Sequence, residues 1–304
     1  MGYNGRMRVV ITGATSMIGV ALAKKHINNG DTVFALVKRE SNNISRIPSQ
    51  AIIVEANLDE LGTCTVTSDK CDTLYHLAWM GSAKSERDNA DIQIKNTEYT
   101  LSAVRLAIRL GCERFIGAGS QAEYGIISGD ICEESETKPL TEYGRNKLEA
   151  GKLSQILCAD TGIKCIWSRI FSVYGVNDHS DTMISYAINN FMTGSIPHFN
   201  SGRQKWNFLY EEDAGEALFR LGTMSVESGI YNVASKHNQS LSEFVKAIAD
   251  SFSNNVKYIF DNMDDSQLIS LEADVSKLIN AIGDYERISF EEGIKRIIEE
   301  REKG

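Results

Sequence analysis

The chain has 304 residues, of which 42% are hydrophobic and 24% charged, a composition typical of folded proteins that excludes a disordered or fibrous chain. Its 32 Lys and Arg residues are outnumbered by 41 Asp and Glu residues, which gives a net charge of −9. Because a surface with this balance lacks the broad positive area that binds phosphate backbones, we expect no nucleic-acid partner.

Strands and helices alternate through the first half of the chain. Short β-branched runs predict strands at 7–12, 32–37, 51–54, 73–78, 114–118 and 164–168. Apolar residues at helical spacing predict helices after the first strand, around 91–110 and around 142–161. Because parallel strands need helical crossovers, this alternation predicts an α/β fold with a doubly wound parallel sheet covered on both faces.

After about residue 170 the pattern becomes irregular, with helical periodicity at 240–253, 274–281 and 289–300. We therefore predict a sheet domain over residues 1–170 and, over 171–304, a smaller C-terminal cap with some segments that return to the sheet domain. No linker rich in Gly, Ser or Pro separates the two. The cleft between them is the expected ligand site.

The six cysteines predict neither a disulfide framework nor a zinc site, because the sequence has no C-x-x-C motif and no paired histidines at metal-ligand spacing. Free thiols are typical of a reducing compartment. No apolar run reaches the roughly 18 residues of a spanning helix, and residues 1–8 are polar with no apolar segment after them. We therefore expect a cytoplasmic protein with no metal and no membrane contact.

A turn of small residues joins the first strand to the first helix and reads Thr12-Gly13-Ala14-Thr15-Ser16-Met17-Ile18-Gly19. In this position backbone N–H groups and the helix N-terminus can cradle a pyrophosphate. Ser16 stands where a third glycine is common, and its hydroxyl could add a contact to phosphate. The turn predicts a dinucleotide cofactor.

The second strand ends in Leu36-Val37-Lys38-Arg39, without the carboxylate that usually holds the adenosine ribose of NAD. Lys38 and Arg39 lie about 20 residues beyond the glycine turn, where a 2′-phosphate is bound. We therefore predict NADP in preference to NAD.

Tyr143 and Lys147 are four residues apart and share one face of a predicted helix. Ser120 ends the fifth strand, and such sheets bind ligands at the carboxyl ends of their strands. The three side chains can converge, with the Lys147 ammonium lowering the pKa of the Tyr143 phenol, which moves a proton while Ser120 hydrogen-bonds the reacting oxygen. His76, at the end of the fourth strand, is interpreted as a packed histidine rather than a general base.

The sequence resembles the extended short-chain dehydrogenase/reductase family, specifically its NAD-dependent epimerase/dehydratase group, which acts on nucleotide sugars. The motifs that carry the resemblance span nearly the whole chain and include TGATSMIG (12–19), DTLYHLAW (72–79), GSQAEYG (119–125), YGRNK (143–147), RIFSVYG (169–175) and WNFLYEED (206–213). The resemblance implies a Rossmann-type fold with catalytic Ser120, Tyr143 and Lys147. It also implies a homodimer formed through the predicted helices at 91–110 and 142–161.

The same resemblance implies the other residues of the site. Besides the glycine turn, Tyr143 and Lys147, the implied cofactor contacts are Asn57, Leu58, Leu77, Ala78, Trp79, Asn96, Ile170, Ser172 and Val173. The implied substrate contacts are Met80, Gln121, Ala122, Ser172, Arg203 and Trp206. Asp178 and His179 could touch sugar hydroxyls or belong to a surface loop.

Three features depart from the family pattern. Gln121 and Ala122 stand where dehydratases carry an Asp-Glu pair, which argues against water elimination. Ser172 replaces an Asn that is usual in many epimerases. Trp206 replaces an Arg that holds the nucleotide diphosphate, a charge that Arg203 or Lys205 could supply instead.

These features predict an NAD(P)-dependent epimerase or 4-ketoreductase of a nucleotide sugar, with hydride transfer at sugar C4. Lys38 and Arg39 favour the reductase, in which NADP(H) enters and leaves in each cycle. Two alternatives stay open. A reductase of small non-nucleotide carbonyls is favoured by Trp206, and a non-catalytic dinucleotide-sensing protein is disfavoured by the intact catalytic residues.

Overall fold

The computed structural model describes residues 6–252, 255–261 and 269–303. Residues 1–5, with which the predicted sheet domain begins, lie outside the described residues. So do Ser253, the end of the predicted helix at 240–253, and Gly304, the end of the predicted cap.

The strands, in chain order, are β1 (Arg8–Thr12), β2 (Thr32–Val37), β3 (Ile52–Glu55), β4 (Thr73–His76), β5 (Arg114–Ser120), β6 (Asp130–Ile131), β7 (Lys164–Ile170), β8 (Ser172–Tyr174), β9 (His198–Phe199), β10 (Lys205–Tyr210), β11 (Gly229–Val233), β12 (Asn238–Ser240), β13 (Ile259–Phe260) and β14 (Glu272–Ala273). The helices are α1 (Met17–Asn28), α2 (Ala90–Arg109), α3 (Glu142–Thr161), α4 (Met183–Thr193), α5 (Glu211–Thr223), α6 (Leu241–Asp250), α7 (Ser276–Ile282) and α8 (Phe290–Lys303).

Seven strands form one parallel sheet in the order β3-β2-β1-β4-β5-β7-β11. The chain winds outward in opposite directions from β1 and β4, so the gap beyond their carboxyl ends is a topological switch point. The predicted doubly wound sheet is confirmed, and all six predicted strands belong to it. The seventh strand, β11, comes from the irregular part of the sequence and was not predicted.

Helices cover both faces of the sheet. On one face α2 and α3 pack over an apolar core that includes Leu74, Leu106 and Phe115. On the other face α1 and α5 pack over a core that includes Ile11 and Leu218. Because both faces are buried, the central strands are almost continuous runs of apolar residues, as expected for a parallel sheet.

The remaining C-terminal elements build a smaller layer. Helices α4, α6 and α8 pack around an apolar core that includes Ile188, Val245 and Ile297. Strand β10 pairs parallel to β8 and antiparallel to β12 in a small second sheet. A cleft separates this layer from the carboxyl ends of the main sheet strands.

Within the described ranges, no helix combines the length and apolarity needed to span a bilayer. Over the same residues, no three His, Cys, Asp or Glu side chains are grouped closely enough to hold a metal ion. All six cysteines are free thiols.

A buried ion pair ties the end of β5 to the neighbouring strand β7. The Glu123 carboxylate accepts hydrogen bonds from Ser120 N at 2.8 Å, Trp167 Nε1 at 3.0 Å and Arg169 Nε at 2.8 Å. The Glu123 and Arg169 side chains are 1% and 3% exposed. This carboxylate therefore neutralises a buried guanidinium and fixes the backbone at Ser120 at the same time.

We expect Glu123→Ala to lower the free energy of unfolding by about 3–5 kcal/mol, because Arg169 would stay buried without its partner. Urea denaturation measures the change. Glu136→Ala is the matched control, since the Glu136–Lys138 pair is 73% and 72% exposed and exposed pairs contribute only about 0–1 kcal/mol. Equal losses in the two variants would contradict this account of the β5–β7 junction.

Candidate active site

The cleft at the switch point has a volume of about 1090 Å³, at the upper end for ligand pockets in proteins. It is lined by the β1–α1 turn, by residues at the carboxyl ends of β2, β4, β5 and β7, and by residues of α3, α4 and β10. Most of the predicted site residues lie in its wall: Gly13, Thr15, Ser16, Met17, Ile18, Lys38, Leu58, Leu77, Ala78, Trp79, Met80, Ser120, Gln121, Tyr143, Lys147, Ile170, Ser172, Val173 and Trp206.

The glycine turn has the backbone shape that an anion site requires. Gly13 has φ of +69°, and a Cβ at this position would lie 2.7 Å from Ala78 N. At Gly19 a Cβ would lie 2.3 Å from Gly13 O, so Gly19 supports the turn from behind without lining the cleft. Ser16 Oγ caps α1 by accepting from Gly19 N at 3.1 Å. A hydroxyl that accepts in this way keeps its own hydrogen to donate, so Ser16 can still contact phosphate.

The N-terminus of α1 fits a pyrophosphate electrostatically as well. Its first turn contains no acidic residue, and the free N–H groups of a helix N-terminus favour an anion. The donors of the turn therefore match the phosphates of a dinucleotide. The β1–α1 turn is the part of the cleft that would hold the pyrophosphate.

At the end of β2 the two predicted cations have different partners. Lys38 is exposed and lines the cleft. Arg39 instead turns away to pair with Glu60 at 2.5 Å, and it is not part of the wall. Arg46, which the sequence analysis did not select, also lines the cleft and lies in the segment between β2 and β3. Asn57 also lies outside the wall, where its side chain accepts from Arg39 N at 3.3 Å and caps a short helical turn.

The segment after β4 forms one side wall, and Asn96 supports it from behind. Asn96 Oδ1 accepts from Met80 N, and Asn96 Nδ2 donates to Met80 O, both at 2.8 Å. Trp79 Nε1 donates to Gln93 Oε1, also at 2.8 Å. Asn96, predicted as a cofactor contact, therefore lies behind the wall and fixes the main chain that faces the cleft.

Ser120, Tyr143 and Lys147 converge at the centre of the cleft, as the sequence analysis expected. Lys147 is 3% exposed, its Nζ donates to Ala118 O at 2.6 Å, and it lies 3.8 Å from the Trp79 ring centroid and 5.7 Å from that of Tyr143. Burial lowers the pKa of Lys147 to about 7. The helix spacing and the carboxyl end of β5 thus bring a hydroxyl, a phenol and an amine together.

The electrostatics of Tyr143 differ from the expectation that Lys147 lowers its pKa. Burial is the largest influence and raises the pKa of the phenol. The Ser120 side chain and the Arg87 guanidinium oppose this rise, and the carboxylate of Glu123 reinforces it. Arg87, which the sequence analysis did not select, is therefore a cation that opposes the rise in the pKa of Tyr143.

His76 is a packed histidine, as interpreted from the sequence. It is 3% exposed, its Nδ1 lies 2.9 Å from Thr12 Oγ1, and its ring stacks on Phe115. Burial lowers its pKa to about 3, with a smaller contribution from the charge of Lys147. A histidine with this pKa is neutral at working pH and adds no charge to the site.

At the substrate end, two of the departures from the family pattern contact each other. Trp206 Nε1 donates to Ser172 Oγ at 3.0 Å, and both residues line the cleft together with Gln204 and Phe208. Gln121 also lines the cleft, where its Oε1 accepts from Ser120 Oγ at 2.8 Å. The substrate end is therefore an aromatic wall beside neutral polar groups.

Two predicted substrate contacts lie elsewhere. Ala122 is beside the cleft, where its backbone N donates to Ser120 Oγ at 3.2 Å. Arg203 is exposed and is not part of the wall. Asp178 and His179 do line the cleft, which favours a ligand contact over a plain surface loop. Among the described residues of the wall, the Lys and Arg side chains are Lys38, Arg46, Arg87 and Lys147.

Comparison with known proteins identifies the family to which this chain belongs. The sequence profile of the NAD dependent epimerase/dehydratase family matches residues 9–234. An uncharacterised UDP-glucose epimerase of Bacillus subtilis (strain 168) is 24% identical over 291 residues, which cover 89% of this chain and 90% of that protein.

Two solved structures are similar over nearly their full length. MoeE5 in complex with UDP-glucose and NAD has a TM-score of 0.83 at 24% identity and covers 98% of this chain and 99% of its own. The UDP-glucuronic acid 4-epimerase of Bacillus cereus in complex with NAD has a TM-score of 0.83 at 19% identity, with 97% and 96% covered. At these identities the likeness establishes the fold, while the profile match establishes the family. The chain therefore belongs to the NAD-dependent epimerase/dehydratase family and is an enzyme of the short-chain dehydrogenase/reductase class.

Proposed function

We propose that this enzyme transfers hydride at C4 of a nucleotide-linked hexose with NADP(H), and that reduction of a 4-keto sugar is its favoured direction. The observation that carries the proposal is the convergence of Ser120, Tyr143 and Lys147 beside the glycine turn. This arrangement can move a proton at a carbonyl or alcohol oxygen while a cofactor lies along the carboxyl ends of β1 and β4. Both solved relatives act on or bind UDP-linked sugars according to their descriptions.

The cofactor would be held by groups already on the wall. The β1–α1 turn would bind the pyrophosphate, and Lys147 would contact the nicotinamide ribose. When bound, the cofactor supplies or accepts the hydride. In the reducing direction Tyr143 donates a proton to the sugar oxygen, and the Ser120 hydroxyl hydrogen-bonds that oxygen.

Dehydration is disfavoured by the groups next to Ser120. Loss of water across C5 and C6 needs a further base and a further acid beyond Tyr143. Gln121 is neutral at every working pH, and Ala122 has no ionisable group. Glu123 is the one carboxylate nearby in sequence, and it is paired with Arg169 below the site. These contacts support chemistry restricted to C4.

The adenosine end of the cleft favours the reducing direction of the reaction. Lys38 and Arg46 line the cleft there, and Arg39 neutralises Glu60. Two cations suit a 2′-phosphate, which NAD lacks. An enzyme that exchanges NADP(H) in each cycle fits a reductase, whereas an epimerase restores its cofactor internally. Epimerisation at C4 is thus the nearest alternative on the same site.

A reductase of small non-nucleotide carbonyls remains the second candidate. It is favoured by Trp206, which stands at the position where the family pattern has an Arg for the diphosphate. The Trp206 indole donates a hydrogen bond to Ser172 instead. In the described wall the substrate end otherwise offers aromatic and neutral side chains together with Asp178 and His179.

We also propose that the protein is cytoplasmic and homodimeric. Six free thiols are typical of a reducing compartment. Ile94 on α2 and Ile156 on α3 are 53% and 60% exposed, which supports a partner surface on these two helices. Sedimentation of the purified chain as a monomer at micromolar concentration would contradict the dimer.

We expect replacement of both Lys38 and Arg46 by Ala to weaken NADP binding by about a hundredfold or more, because each of two hydrogen bonds to a charged group contributes about 1.5–3 kcal/mol. NAD binding should change little. Titration of both cofactors by calorimetry measures this, and Arg39→Ala is the control because Arg39 is bound to Glu60. Equal or tighter binding of NAD by the parent protein would contradict the NADP assignment.

We expect Tyr143→Phe to lower the rate of hydride transfer by about 10²- to 10⁴-fold, the usual contribution of general acid–base catalysis. Cofactor affinity should be nearly unchanged, because Lys147 keeps its own contacts. Lys147→Met should lose both rate and affinity. Single-turnover measurements of NADPH oxidation separate the two effects, and near-normal transfer in Tyr143→Phe would show that another group carries the proton.

A further inference from the structure

We propose that Arg87 is a positioning residue for Tyr143, whose guanidinium lies over the phenol ring and stabilises the phenolate through which the proton moves. The chemical role rests on the proposed function of Tyr143. The contact between Arg87 and Tyr143 does not depend on that function, because it is present in the folded chain without any substrate. Arg87 would thus complete the catalytic group from a loop that neither the glycine turn nor the Y-x-x-x-K spacing indicates.

Arg87 touches Tyr143 with both its side chain and its main chain. The guanidinium carbon lies 5.0 Å from the centroid of the phenol ring. The backbone O of Arg87 accepts a hydrogen bond from Tyr143 N at 2.8 Å. Arg87 Nε donates to Ser82 O at 2.9 Å. A substitution of the side chain would therefore remove the charge and leave the main-chain contact in place.

The loop that carries Arg87 is held in one shape by α2. Gln93 Nε2 donates to Gly81 O at 2.8 Å and to Glu86 O at 3.1 Å. Gly81 has φ of +66°, and a Cβ there would lie 2.8 Å from Ile92 Cγ2. Because these contacts fix both ends of the loop, the guanidinium is already in position over the ring. Preorganised charge of this kind costs no rearrangement during the reaction.

The charged groups around Tyr143 come from four elements. Lys147 lies on the same helix, but burial lowers its pKa to about 7, so its charge is not permanent near neutral pH. Glu123, in the turn after β5, has the opposite effect and is itself neutralised by Arg169 of β7. Arg87 comes from the β4–α2 loop, and an arginine keeps its charge at all working pH values.

His76 and Ser120 complete the surroundings of this site. Burial keeps His76 neutral, and the Ser120 hydroxyl stabilises the phenolate only as a hydrogen-bond donor. The guanidinium of Arg87 is therefore the permanent positive charge beside the phenol among the described residues. Burial raises the pKa of Tyr143, and the Ser120 side chain and the Arg87 guanidinium oppose that rise.

The direct test is the titration of the Tyr143 phenol, followed by carbon NMR of the NADP-bound protein with labelled tyrosine. Tyr143→Phe assigns the resonance. We expect Arg87→Met to raise the titration midpoint by about one pH unit, the lower limit for an opposite charge at about 4–6 Å. Arg87→Lys should restore most of the shift. An unchanged midpoint in Arg87→Met would overturn the proposal, whatever the substrate of the enzyme is.

Arg145→Met is the matched control, because Arg145 lies two residues from Tyr143 but is exposed and paired with Glu142. A shift in this variant equal to that in Arg87→Met would show a general effect of net charge and would contradict the proposal. If Arg87→Met fails to fold, Arg87→Gln provides the same test with a polar side chain that can still reach Ser82 O.

Kinetics give a second and independent readout. We expect the pH dependence of kcat in Arg87→Met to move upward with the phenol titration, while KM changes little. A rise in KM without movement of the pH profile would overturn the proposal, because it would show that Arg87 binds an anionic group of the substrate. A reaction on an unforeseen substrate would refute the proposed function and leave the NMR result valid.

Discussion

The carboxylate of Glu123 is the contact on which the geometry of the site depends. It lies where β5 ends, and it accepts hydrogen bonds from the backbone of Ser120 and from two side chains of β7. A parallel sheet places several strand ends at one edge but does not fix how each chain continues. At the end of β5, Glu123 fixes the path of the chain through its hydrogen bond from Ser120 N. Because Glu123 is engaged in this way, it supplies no free carboxylate beside Ser120, and the two positions directly after Ser120 hold Gln121 and Ala122.

The cleft is divided electrostatically along its length. Lys38 directly follows β2 and Arg46 lies between β2 and β3, on the side that would take the adenosine, whereas Arg87 and Lys147 lie beside Tyr143. Beyond Tyr143 the described wall consists mostly of aromatic and neutral groups, with Trp206 bonded to Ser172, and it also contains Asp178 and His179. The Lys and Arg side chains of the described wall therefore lie where the cofactor and the moving proton would be.

Local patterns in the sequence were sufficient for the first half of the fold. The alternation of apolar strands and amphipathic helices predicted six of the seven sheet strands, and α3 begins and ends at the predicted residues. Strand β11 and helix α5 could not be predicted because their place in the sheet domain depends on a long return of the chain. Propensity over a short window contains no information on such a return.

The same limit applies to the site. Ser120, Tyr143 and Lys147 have a recognisable spacing, but Arg46 and Arg87 reach the cleft only because loops bring them there. The sequence contains one signal for the role of Glu123 that was not used. Ser120 and Glu123 have the S-x-x-E spacing of a capping box, and the structure shows both of its hydrogen bonds. That spacing could have indicated that Glu123 is engaged with the backbone and not free for catalysis.

The central claim is hydride transfer at C4 with a proton moved by Tyr143. The most direct measurement uses NADPH deuterated at its transferable position with UDP-, TDP-, GDP- and CDP-linked 4-keto hexoses, and NMR of the sugar product. The account predicts deuterium at C4 of one of these sugars. It would be contradicted by a new C6 methyl group formed from any nucleotide-linked glucose, or by transfer to a small carbonyl compound and to none of the nucleotide sugars.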